Sequence, residues 1–275
     1  MESGKDHMTP HADLLRVANA AVDIARGILL RTEPGHITSK GDRDMASEVD
    51  YAIEEAVREH LAIHTPGISF LGEEEGGGIP VAGNQTWVLD PVDGTANFIR
   101  GLTMCAISLG LIDGKEGVLG IIDLPYLGVR YSATDSGGAY CGSRRIHVSN
   151  TRGLGEAIVT IGDYAVGDDA AQRNKARLSL TGQLVGRVQR IRMLGTAALD
   201  LAWLADGKTD ASIALTNKAW DMTAGVVIAR EAGARVVDSS GIDHNFDSTA
   251  TIAANTKLLP ELLPVIHRVL AESAE

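Results

Sequence analysis

The segment Trp87-Val88-Leu89-Asp90-Pro91-Val92-Asp93-Gly94-Thr95-Ala96-Asn97-Phe98 carries the densest chemistry in the sequence. An apolar run ends in two carboxylates, Pro91 fixes the turn between them, and Gly94 lets the backbone approach a ligand. Carboxylates this close repel unless a cation lies between them, and oxygen donors with no neighbouring His or Cys favour Mg²⁺ over zinc. A second segment, Gly72-Glu73-Glu74-Glu75-Gly76-Gly77-Gly78, puts three acids at the end of another apolar run, where they could supply a metal ligand. In Ala219-Trp220-Asp221-Met222-Thr223-Ala224-Gly225, Asp221 stands where an apolar helix begins. There it could cap free N–H groups, or share the helix end with a phosphate and metal cluster. The run from Lys40 through Asp42, Arg43, Asp44 and Glu48 to Asp50 is dense in charge at a helix start. Taken singly, each segment also has a plain structural reading: an Asp/Gly turn, a solvated acidic loop, a helix cap, an exposed helix start.

Other chemistries are absent. There is no HExxH, no GxSxG, and no GxGxxG after a strand. The stretch from Gly110 to Lys115 is one residue short of a phosphate-binding loop and lacks its Ser/Thr, so it reads as a hairpin turn at Asp113-Gly114. The spacing Asp-x-x-Asp-Gly-Thr differs from the DxDGT of phosphatases that use a nucleophilic aspartate, which disfavours an aspartyl-phosphate route.

The elements that must position these residues follow from periodicity. A helix over 14–29 with Asp13 as its cap ends at Pro34-Gly35, and a second helix over 44–64 ends at Pro66-Gly67. Strands are expected over 68–71, 87–89, 105–111, 117–122 and 128–134. From 156 the pattern alternates: strands over 157–161, 188–191, 211–215, 235–237 and 250–253, helices over 169–184, 195–205, 220–231 and 258–271. Residues 1–150 thus form a half with two helices and a mostly antiparallel sheet, and 151–275 an α/β half. The two are expected to pack as one unit, a layered mixed α/β (α+β) fold.

In 275 residues there are 25 Lys or Arg against 36 Asp or Glu, a formal net charge of −11, which argues against nonspecific binding to nucleic acid or anionic membrane. It does not argue against a phosphate substrate, because bound metal ions can reverse the local field. The two cysteines, Cys105 and Cys141, form no CxxC pair, and residues 1–10 carry no apolar stretch of signal-peptide type. A cytoplasmic protein is expected.

Together and in this order, the four segments, with Gly195-Thr196-Ala197-Ala198, resemble the inositol monophosphatase family of magnesium-dependent, lithium-sensitive phosphatases. The resemblance implies an αβαβα layered sandwich, usually dimeric, with two or three Mg²⁺ per site. It implies that Glu73, Asp90 and the carbonyl of Val92 hold the first ion, and Asp90, Asp93 and Asp221 the second, with a third touching Glu73. Asp50 and Thr95 would orient and deprotonate the attacking water, with Glu73 also in the catalytic group. Backbone N–H groups of Gly94 and Thr95 would hold the phosphate, Asp93, Gly195, Thr196, Ala197 and Asp221 would contact the substrate, and Lys40 would lie on a mobile loop over the site. The five carboxylates bring −5 together, which two or three Mg²⁺ would offset.

The implied substrate is a small phosphorylated metabolite, inositol 1-phosphate or a similar polyol phosphate. Histidinol phosphate, fructose 1,6-bisphosphate and nucleotide 3′-phosphates are the alternatives within the family, and a noncatalytic binding module the alternative outside it. Where inositol-selective relatives carry an acid seven residues before the Trp-Asp aspartate, this chain has Ala214, and the nearby Lys218 could meet a second anionic group or simply solvent.

Overall fold

The structure, a computed structural model, describes residues 11–41, 44–77 and 83–273. Residues 1–10, Asp42, Arg43 and Gly78, which entered the sequence reading, lie outside the described residues. In chain order the elements are α1 (Ala12–Arg31), β1 (Ile37–Gly41), β2 (Asp44–Ser47), α2 (Glu48–His64), β3 (Ser69–Gly72), β4 (Gln85–Asp93), α3 (Thr95–Ile99), β5 (Ala106–Asp113), β6 (Glu116–Leu124), β7 (Val129–Thr134), β8 (Gly138–Cys141) and β9 (Arg144–Arg145). There follow β10 (Ile158–Ile161), α4 (Ala170–Val185), β11 (Arg190–Arg192), α5 (Ala197–Ala205), β12 (Ala211–Ala214), α6 (Ala219–Glu231), β13 (Ala234–Val237), β14 (Thr251–Asn255) and α7 (Leu259–Ser273).

Strands β3 to β9 form one sheet in sequence order, parallel only between β3 and β4. The other large sheet has the order β11-β10-β12-β14-β13, with β10 parallel to both of its neighbours. A separate hairpin joins β1 to β2. The apolar stripe Ala18, Ala21, Val22, Ala25 and Leu29 of α1 packs with Val49, Ile53, Val57 and Leu61 of α2 against one face of the seven-stranded sheet. On β5 the alternation is plain: Ile107, Leu109 and Leu111 enter that core, while the Ser108 hydroxyl on the other face donates to Trp220 O at 3.2 Å.

The second face receives α5 and α6 through Ala198, Leu199, Ala202, Ala224, Val227 and Ile228. These helices also cover the five-stranded sheet, through Leu201, Leu204, Met222 and Val226, and the far face of that sheet packs on α4 and α7. The result is the expected five-layer αβαβα sandwich, with α5 and α6 shared between the sheets. Close approach of α6 to the first sheet depends on Gly120 of β6, where a Cβ would sit 2.3 Å from Ala224 O. That approach sets α6 against the sheet that bears Asp90 and Asp93.

Two local expectations are corrected. Asp13 is not the cap of α1 but lies in its first turn, behind His11. The helix expected from 44 starts at Glu48, and the four residues before it form β2. Here Ser47 and Asp50 form a reciprocal capping box, which fixes the helix start later than the charge pattern suggests. Lys40 lies within strand β1 of the hairpin.

Candidate active site

In a regular strand, residues three apart point to opposite faces. On β4, Asp90 pairs with Ser108 of β5 but Asp93 pairs with Ala106, so three steps on one strand match two on the other. This one-residue bulge, at Pro91-Val92, returns both carboxylates to one side. Proline is tolerated there because it interrupts a ladder that is already broken. The Asp90 carboxylate accepts from Val92 N at 3.0 Å. Gly94 then turns the chain with φ +86° into α3, and a Cβ on it would lie 3.0 Å from Gly195 O and 3.1 Å from Met104 O. Both the backbone angle and the space require glycine.

Asp50 is fully buried at the start of α2 and accepts from Ser47 N at 2.9 Å and from the Ser47 hydroxyl. Its other oxygen faces the Thr95 hydroxyl at 3.3 Å, and the same hydroxyl donates to Val92 O at 3.0 Å. Burial raises the Asp50 pKa, against the Ser47 hydrogen bonds that lower it.

The acids after β3 are held by a residue that the sequence reading missed. Glu54, buried on α2, accepts from Glu74 N at 2.8 Å and Glu75 N at 3.1 Å, and is itself paired with Arg58 at 2.6 Å. The available signal was an acid set beside Ile53 on the otherwise apolar face of α2. Across the hairpin, Lys40 Nζ reaches Glu73 at 3.1 Å and Glu74 at 2.9 Å, and Lys218 Nζ stands 3.7 Å from Glu73. Burial alone would lower the Lys40 pKa, but the two carboxylates outweigh it and raise it.

From the second half, α5 presents its first turn to Asp93. The Thr196 hydroxyl and Ala198 N, the latter at 2.6 Å, both donate to Asp93 Oδ2. Asp221, in the first turn of α6, completes the wall of a cavity of about 260 Å³ that is also lined by Glu73, Asp90, Val92, Asp93, Thr95 and Gly195. Burial pushes the Asp93 pKa up to about 6, although the Thr196 and Ala198 hydrogen bonds oppose it. Asp221 is pushed up to about 8 by burial and by the charge of Asp93, with Lys218 opposing. Asp90 is raised by burial first, then by Glu73, Asp93 and Asp221. The pocket therefore crowds acidic groups together, with Lys40 and Lys218 beside Glu73 and their charge also acting on Asp221.

Its donors are all hard oxygens, the set that suits a small divalent cation. Among the described residues no three acidic, His or Cys groups are drawn up around one point as a finished metal cluster, and Glu73 is turned toward Lys40 and Lys218. The expected site residues Glu73, Asp90, Val92, Asp93, Gly94, Thr95, Gly195 and Asp221 all line this cavity, and Asp50 touches it through Thr95. Thr196 and Ala197 line the adjoining cleft.

That cleft, of about 480 Å³, shares Asp93, Asp163, Gly195, Lys218 and Asp221 with the pocket. Asp163, Asp200, Arg173 and Arg177 also line it, and sequence reasoning named none of them. Asp163 sits on the loop after β10 and Arg173 and Arg177 on α4, where only convergence in three dimensions marks them. Asp200 is the lone charged residue of the otherwise apolar α5, a signal that could have singled it out. Ala214 of β12 forms part of the wall.

The pattern described as the inositol monophosphatase family matches residues 11–272. Inositol-1-monophosphatase ImpA of Mycolicibacterium smegmatis is 34% identical over 227 residues, covering 82% of each chain. Fructose-1,6-bisphosphatase/inositol-1-monophosphatase of Thermotoga maritima is 31% identical over 236 residues, covering 84% of this chain and 86% of that protein. Among solved structures, a Thermotoga maritima IMPase superposes with a TM-score of 0.85 at 28% identity, covering 95% of this chain and 99% of that one. The layered sandwich shared with that structure, and the family match over nearly the whole chain, define a phosphoric monoester hydrolase. The chain belongs to the inositol monophosphatase family. Among the described residues no helix is long and apolar enough to cross a membrane.

Proposed function

We propose that this chain is a Mg²⁺-dependent phosphomonoesterase that hydrolyses a small polyol phosphate, inositol 1-phosphate in the first instance, by direct attack of water. The observation that carries the reading is the convergence of Glu73, Asp90, Asp93 and Asp221, from three separate stretches of chain, on one small cavity beside the Asp50–Thr95 pair.

In this reading Glu73, Asp90, the Val92 carbonyl, Asp93 and Asp221 would hold two or three Mg²⁺. When bound, these ions supply Lewis acidity and neutralise phosphoryl charge. The chain's own groups do the rest. The Thr95 hydroxyl, held between Asp50 and Val92 O, orients a water and passes its proton toward the Asp50 carboxylate. Burial, by raising the pKa of Asp50, makes it a better proton acceptor than a solvated aspartate. Backbone N–H groups of Gly94 and Thr95 face the phosphoryl oxygens. Asp93, tied to the first turn of α5, keeps the metal pocket in register with Gly195, Thr196 and Ala197 at the entrance of the cleft. The alcohol of the substrate occupies that cleft.

The same reading carries inhibition by millimolar lithium, a homodimer and a cytoplasmic location. A second substrate is favoured by one observation: Arg173 and Arg177 line the cleft, and among the described residues neither is paired with a carboxylate. A substrate with a second anionic group, such as fructose 1,6-bisphosphate, would meet them, in keeping with the double name of the Thermotoga maritima relative.

The test is phosphate release from inositol 1-phosphate, fructose 1,6-bisphosphate, histidinol phosphate and a nucleotide 3′-phosphate, with and without Mg²⁺. Mg²⁺-dependent release with inositol 1-phosphate preferred supports the proposal. Release from none of them contradicts it and favours a noncatalytic binding module.

A further inference from the structure

Asp200 sits one turn into α5, is 4% exposed, and lines the cleft. Its Oδ1 has no hydrogen-bond partner among the described residues. The Thr160 hydroxyl beside it favours the ionised form, but burial and the charges of Asp93 and Asp163 act the other way. A buried carboxyl oxygen without a donor is costly, so its retention at the edge of a cavity calls for a donor from outside the chain.

The surroundings indicate which donor. Asp163, a second acid without a cationic partner among the described residues, lines the same cleft. Beyond Asp93, Asp221 and Lys218, which the cleft shares with the acidic pocket, and the two arginines of α4, its remaining polar wall consists of hydroxyls, those of Tyr164, Thr196, Ser212, Thr216 and Thr251. A hydroxyl can donate or accept, so a ligand rich in hydroxyls suits this wall. Arg173 and Arg177 line the cleft from α4. An anionic group would therefore turn toward α4 and leave Asp200 to hydroxyls.

We infer that Asp200 is a specificity-determining residue whose Oδ1 receives a hydrogen bond from a hydroxyl of the leaving alcohol. The inference rests on the phosphomonoesterase reading and deepens it: hydroxyl-bearing alcohols are selected, and the selection is made on α5.

The experiment compares inositol 1-phosphate with cyclohexyl phosphate, which has the ring without the hydroxyls, in steady-state kinetics. For Asp200→Ala, KM for inositol 1-phosphate rises about tenfold while KM for cyclohexyl phosphate stays within about twofold. Asp200→Asn, which keeps an acceptor oxygen, recovers most of the loss. A parallel rise for both substrates, or a rise for neither, overturns the inference. Should the variants fold poorly, the wild-type chain decides alone: its kcat/KM favours inositol 1-phosphate by at least about tenfold, and equal values overturn the inference while leaving the phosphomonoesterase reading intact. A wild-type chain that hydrolyses neither removes that reading, and this inference with it.

Discussion

The Thr95 hydroxyl stands 3.3 Å from Asp50 Oδ1 although 45 residues separate the two in sequence. Two local devices create the contact. The bulge in β4 and the left-handed Gly94 bring Thr95 to the mouth of the pocket, and the capping box at Ser47 holds Asp50 in the first turn of α2.

If this pair handles the proton of the attacking water, Thr95→Ala lowers kcat by about 10²-fold or more while KM changes by no more than about threefold. Thr95→Ser, which keeps the hydroxyl, restores most of the rate. Steady-state kinetics on the preferred substrate check this, and an unchanged kcat in the alanine variant contradicts it.

Glu54 acts at one remove. Its carboxylate satisfies two backbone N–H groups in the turn that carries Glu73. Glu54→Ala strips both and leaves Arg58 without its closest acid, a loss on the order of 2–4 kcal/mol in chemical denaturation. A loss below about 0.5 kcal/mol would show that the turn holds itself.

His244 gives the fold a dependence on acid. It is 5% exposed, with Nε2 at 3.0 Å from the Thr251 hydroxyl and 3.2 Å from Asn217 Oδ1. Burial, reinforced by Arg230 and opposed by Asp238, pushes its pKa from the ordinary 6.5 down to about 4. The unfolded chain takes up the proton first, so this contribution is complete above pH 6.5 and is lost as pH falls toward 4. Buried acids with raised pKa values, Asp200 among them, act with the opposite sign, so the comparison must be with His244→Gln. The stability difference between wild type and variant should shrink by on the order of 3 kcal/mol from pH 7 to pH 4 in urea titrations. A difference that stays flat across that range contradicts the assignment.

How far the sequence anticipates this arrangement varies with the range of the interactions. The apolar run into Asp90, Pro91 and Gly94 reads directly as a strand ending in a turn, because its determinants are adjacent residues. The helical stripes of α1 and α2 and the alternation of the second half are local for the same reason. The hairpin of β1 and β2 escapes, because Ile37–Gly41 is short, polar and without alternation, and its pairing depends on the partner strand. The bulge in β4 escapes too, since a register shift is a property of two strands. Ser47-x-x-Asp50 could have been read as a capping box, and doing so would have moved the start of α2 to its place. Asp163 and Arg177 carry no local signature, because the cleft that gives them meaning forms only when α4 and α5 flank the second sheet, whereas Asp200 is the lone acid of an apolar helix and could have been singled out.

The central claim, that the acids around the β4 bulge hold Mg²⁺, is tested most directly by calorimetric titration of the purified chain with Mg²⁺, alongside Asp93→Asn and Asp221→Asn. The account predicts about two ions bound per wild-type chain, with at least one site weakened about tenfold or lost in each variant. No binding by the wild type, or identical titrations for all three proteins, would contradict it.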